Sequence, residues 1–150
     1  MKKAIILFIA MFLFGCSYRV PPRLNIHIET QANEFEANAI IDSMYEGFDK
    51  LLNCEYLQEK YPDAYRRLVI LQTDIRVQHI KNIHDAVRLC GRARIGGNVV
   101  ELSPGVYYSD RCSVLETIPH EILHLIGFTH DEDVEGDCEE FYHIFWQCKF

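Results

Sequence analysis

The spacing of apolar and polar positions sets out most of the secondary structure. Leu24-Asn25-Ile26-His27-Ile28 alternates with period two, the pattern of a half-buried strand. From about Ala32 to Leu52, the residues Ile40, Ile41, Met44, Phe48, Leu51 and Leu52 recur at intervals of three and four. That spacing predicts a long helix with one apolar face, packed on a sheet. Pro62 interrupts the chain, and the short apolar run Leu68-Val69-Ile70-Leu71 after it predicts a central strand. Thr73 to Cys90 carries no decisive period. Between Arg92 and Leu102, the runs Ala93 to Ile95 and Val99 to Leu102 flank Gly96-Gly97-Asn98, which predicts a hairpin. Pro104-Gly105 marks a turn, and Ser113-Val114-Leu115-Glu116 has the spacing of a capping box that would open a further helix. Pro119 either kinks that helix or restarts it with proline in the first turn. These elements predict an α+β domain: a mixed sheet, a long N-terminal helix and a second helix from about Ser113. There is no internal repeat or low-complexity stretch.

The first residues stand apart from this pattern. Lys2 and Lys3 precede the apolar run Ala4 to Phe14, which is short for a bilayer span and reads as an export signal. Leu13-Phe14-Gly15-Cys16 resembles a bacterial lipobox, although Phe14 is bulkier than that pattern usually has. The resemblance implies that Cys16 is the lipidated first residue of the mature protein. The alternatives are an ordinary secretory signal cleaved nearby and an uncleaved anchor. The expected organisation is a signal peptide over 1–15, a lipidated tether over 16–23 stiffened by Pro21-Pro22, and a single domain over 24–150. Ser17 stands where many inner-membrane lipoproteins carry aspartate, so an outer-membrane or cell-surface destination is the expectation.

The chain has a formal net charge of −7, and removal of Lys2 and Lys3 makes it more acidic. Without clustered Lys and Arg, nucleic acid is excluded as an expected partner. Sequence gives no oligomeric state.

The candidate chemistry lies in His120-Glu121-Ile122-Leu123-His124-Leu125-Ile126-Gly127-Phe128-Thr129-His130-Asp131. On a helix His120 and His124 project from one face one turn apart, spaced to hold one ion, which the residue types suggest is zinc. Glu121 falls about 100° round the helix, beside the ion, where a carboxylate can act as general base toward water. On a continuing helix His130 would be carried about 9 Å along the axis and out of reach. Gly127 permits a left-handed turn that would bring it back as a third ligand and leave the fourth position open.

This H-E-x-x-H-x-x-G-x-x-H pattern resembles the metzincin clan of zinc peptidases, matched at His120, Glu121, His124, Gly127 and His130. Gly127-Phe128 is similar to the astacin branch, and Asp131 after the third histidine to the adamalysin branch. The resemblance implies a small zincin-like domain with one Zn2+ per chain and a peptide or protein substrate. It also implies that a strand ahead of the zinc helix presents its edge to that substrate, although an ordinary surface hairpin is as good a reading of the residues. The clan places a methionine beneath the zinc after the third histidine, but the methionines here are Met1, Met11 and Met44. The floor must therefore come from Cys138 to Phe150, where Phe141-Tyr142-His143-Ile144-Phe145-Trp146 is the bulky apolar run.

Tyr107, Tyr108 and Tyr142 are candidates for a phenol that stabilises an oxyanion, with packing the commoner use of each. His27, His79, His84 and His143 lack ligand spacing. If Cys16 is acylated, Cys54, Cys90, Cys112, Cys138 and Cys148 remain, and export predicts two disulfides. The favoured pairs are Cys138 with Cys148, to tie down the tail, and Cys90 with Cys112, to bracket the segment before the zinc helix, leaving Cys54 over. The expected function is a membrane-anchored zinc metalloendopeptidase. The alternative is a weak or inactive zinc-scaffolded binding lipoprotein, which would have little reason to keep Glu121.

Overall fold

The computed structural model describes residues 23–29, 32–108, 112–130 and 137–150. The proposed signal, Cys16 and most of the tether fall outside the described residues, as does Asp131. Within them the architecture is α+β, with helices around one four-stranded mixed sheet.

Strand β1 (Ile26–Ile28) falls within the alternating segment, and helix α1 (Glu34–Leu52) follows the long apolar stripe. Ile40, Met44, Phe48 and Leu51 on that stripe are fully buried. The start of α1 is fixed by Asn33: its Oδ1 accepts from the Glu36 amide at 3.0 Å, and its own amide donates to Glu36 Oε2 at 3.0 Å. Helix α2 (Glu55–Lys60) and helix α3 (Pro62–Leu71) follow.

Helix α3 corrects the expectation of a strand at Leu68–Leu71. Pro62 begins that helix, where its missing N–H costs nothing. Only Leu68 and Leu71, three residues apart on one helix face, are buried, while Val69 and Ile70 are exposed. Four consecutive apolar residues therefore hold one helical face and two solvent positions.

Strand β2 (Ile75–His79) supplies the central strand from within the unassigned stretch, and helix α4 (Ile83–Arg88) follows it. Strands β3 (Gly91–Ala93) and β4 (Val99–Leu102) form the expected hairpin, with Gly96 at φ +72° in the turn. The sheet order is β1-β2-β4-β3. β1 and β4 run parallel to β2, and β3 runs antiparallel to β4 at the edge. Ile75, Val77, Val100 and Leu102 point to one face and are fully buried.

Across the core lies helix α5 (Val114–Ile126), which packs on α1, β3 and β4. It starts at Ser113, yet the Ser113 side chain makes no cap hydrogen bond, so the capping-box spacing marks the start without forming the box. The helix runs through Pro119 without interruption. The hydrogen bond lost there belongs to the carbonyl of Leu115, four residues earlier on the exposed side of the first turn, where water can take its place.

The last element is helix α6 (Asp137–Gln147). Cys90 and Cys112 lie at disulfide distance as expected, with Cα atoms 5.6 Å apart. The pairing of Cys138 with Cys148 is corrected: Cys148 lies at disulfide distance from Cys54, with Cα atoms 5.1 Å apart. The reason is helical rise. Residues 138 and 148 sit at opposite ends of α6, so ten residues at 1.5 Å each separate them by about 15 Å, beyond the reach of a disulfide. The Cys138 side chain lies outside the described residues.

Two hydrogen bonds seat α6 beside this link. Tyr61 donates to Glu140 Oε1 at 2.6 Å, and Tyr56 Oη lies 3.0 Å from His143 Nδ1. No helix among the described residues is long and apolar enough to cross a membrane.

Candidate metal centre and cleft

Helix α5 carries His120 and His124 one turn apart, with ring centroids 5.0 Å from each other. The helix ends at Gly127, whose φ of +119° only glycine adopts without strain. The Gly127 amide donates to His124 O at 3.1 Å and the Phe128 amide to Leu123 O at 3.0 Å, closing the helix end. The chain then doubles back, and His130 arrives 4.9 Å from the His120 ring and 4.8 Å from the His124 ring. One nitrogen from each of the three histidines falls within 4.8 Å of the others. Gly127 thus makes the turn expected of it.

The residues fit a zinc ion. Tetrahedral Zn–N bonds of about 2.0–2.1 Å require nitrogens roughly 3.3 Å apart, and His120 Nε2 and His130 Nε2 stand 3.0 Å apart. His124 Nδ1 lies 2.8 Å from the carbonyl oxygen of Phe128. The carbonyl can only accept, so Nδ1 carries the proton and Nε2 keeps its lone pair for a metal. Burial, with the neighbouring His124 and His130, holds His120 down at about 4. Burial likewise lowers His124. The two helix imidazoles are thus kept neutral near pH 7, the form in which they ligate.

Glu121 is 4% exposed, and its Oε2 has no hydrogen-bond partner among the described residues. Burial raises its carboxyl group to about 8. An acid without a partner in an apolar setting is costly, and such groups gather where chemistry is done.

The floor is Phe141. It is fully buried, and its ring centroid lies 4.7 Å from His120, 5.0 Å from His124 and 5.1 Å from His130. Tyr142 stacks nearly parallel to His130, at 18° and 6.4 Å. The other candidate phenols lie elsewhere: Tyr108 donates to Glu36 Oε1 at 2.9 Å, and Tyr107 Oη lies 3.4 Å from His79 Nε2. Among the described residues, His27, His79, His84 and His143 join no metal-ligating group.

No family model, curated protein or solved structure matches the chain. The functional argument therefore rests on the site itself. His120, Glu121, His124, His130 and Tyr142 line a cleft of about 1220 Å³. Its other wall is the edge strand β3, Gly91 to Ala93, with Leu89, Cys90 and Ile95 flanking it. Sequence reasoning missed Gly91 and Thr117, which meet beside Glu121. Their role depends on a contact between strand and helix that no spacing along the chain reveals.

Proposed function

We propose that the protein is a zinc-dependent metallopeptidase of metzincin type, with His120, His124 and His130 as ligands and Glu121 as general base. The observation that carries this reading is the buried, unpartnered Oε2 of Glu121 beside three converging imidazoles at an open cleft. A zinc ion held by those imidazoles would supply Lewis acidity, polarising a peptide carbonyl and easing proton loss from water. Glu121 Oε2 takes the proton of the attacking water and passes it to the departing amine, the role open to a carboxylate beside the ion. Tyr142, the one candidate phenol in the cleft, donates a hydrogen bond to the carbonyl oxygen as it becomes negative.

Strand β3 is paired with β4 on one side, and its residues line the cleft on the other. An extended peptide adding to that edge by main-chain hydrogen bonds runs across the histidines. A zinc-scaffolded binding protein needs no acid at position 121, and the burial cost of that acid favours the enzyme.

Protein reconstituted with zinc is expected to cleave an unstructured peptide library, to stop on chelation and to resume when zinc is restored. Failure of every divalent metal to produce cleavage would remove the peptidase reading. We further propose that the domain is exported and anchored through acylated Cys16, on the strength of the basic, apolar and Gly15-Cys16 succession. Labelled fatty acid should enter wild type and be absent from Cys16→Ser; equal labelling of both would remove the anchor.

A further inference from the structure

The edge strand touches the metal-site helix at Gly91. A Cβ built there would lie 2.7 Å from Thr117 Cγ2, 3.0 Å from Glu121 Oε1 and 3.1 Å from Glu121 Cγ. Thr117 and Glu121 are four residues apart on one face of α5, so the strand backbone rests directly on the face that carries the acid.

The strand is held there by several independent contacts. Gly91 is in register with Leu102, and the Ser103 amide donates to Cys90 O at 2.9 Å. Cys90 lies at disulfide distance from Cys112, just ahead of α5. Arg92 pairs with Glu101 on β4 and with Asp85 at 2.9 Å. With the backbone fixed on both sides, a side chain at position 91 must displace what it meets. The part of its surroundings most able to move is the flexible arm of Glu121.

We propose that Gly91 is a positioning residue for Glu121: the absent side chain leaves the space that the Glu121 carboxyl group occupies, and the strand backbone sets where that carboxyl group sits in the cleft. The catalytic consequence rests on the peptidase reading, whereas the placement is a property of the fold alone.

Two measurements on the full chain test it. In chelated protein, Gly91→Ala is expected to lower the Tm, and Glu121→Ala in that background to restore much of the loss, because two of the three close contacts go with the acid's side chain. Equal losses from Gly91→Ala with and without the Glu121 side chain would overturn the proposal. If Gly91→Ala does not fold, Gly91→Ala/Thr117→Ser takes its place in the cycle, since serine removes the methyl 2.7 Å away.

In zinc-loaded protein, Gly91→Ala/Thr117→Ser is expected to bind zinc and substrate with wild-type affinity while kcat falls about 100-fold, the effect of misplacing a catalytic group by about 1 Å. Recovery of wild-type kcat in this variant would assign Gly91 to packing alone and overturn the proposal. Zinc-loaded wild type without Glu121-dependent hydrolysis would instead count against the peptidase reading, and the melting cycle would still decide the positioning.

Discussion

Glu121→Ala is expected to keep its zinc and lose peptide hydrolysis by a factor of about 10²–10⁴, the usual contribution of a positioned general base. The group that could hold the metal is three imidazoles without the acid, so metal stoichiometry should match wild type. The chelated variant should melt no lower than wild type, because the mutation removes a buried oxygen with no partner among the described residues. Glu121→Gln, of nearly the same shape, should be as inactive, which separates the proton transfer from the filling of space. The measurement is kcat on an unstructured peptide beside bound zinc for all three proteins. Equal turnover by wild type and Glu121→Ala would end the assignment of Glu121 and with it the argument for an enzyme.

The second large effect is expected at Phe141. Truncation of a fully buried phenylalanine to alanine costs about 3–5 kcal/mol, and Phe141 is fully buried under all three histidines. Phe141→Ala should therefore lower the urea midpoint. It should also weaken zinc by roughly 10–100-fold, the effect of losing a group that orients ligands. Phe141→Met, which refills the space with a flexible apolar side chain, should recover most of both. Competition against a chromophoric chelator reads the affinity, and unchanged zinc binding in Phe141→Ala would show that another residue supplies the floor.

Much of this candidate site is legible in the sequence, because H-E-x-x-H on a helix fixes direction by periodicity alone and Gly127 marks where the periodicity must stop. The long helix and the first strand were legible for the same reason, each having enough residues to show its period, and the hairpin because a glycine turn separates two apolar runs. Leu68–Leu71 was too short for that, and its helix shows only when the exposure of Val69 and Ile70 is known. Capping spacing marked the start of α5 at Ser113 without the box forming and went unused at Asn33, since whether a side chain closes on its helix depends on the rotamer it adopts.

Contacts between distant segments were the least legible. Sequence marked Phe141 to Trp146 as the available floor material, but which ring lies under the histidines follows from how α6 docks. That docking also joins Cys148 to Cys54, 94 residues away.

With that last link closed, residues 54–148 form a covalent ring that contains β2, the hairpin, α5 and all three histidines. Position 91 and the Cys90–Cys112 pair lie inside it, closing a smaller ring within the larger. A single backbone cut between residues 55 and 147 opens the ring without releasing either piece, so Phe141 stays tethered beneath the histidines. On the proposed peptidase reading, this topology turns a self-inflicted nick from the loss of a fragment into a local opening. The nicked molecule would run as one species until its disulfides are reduced.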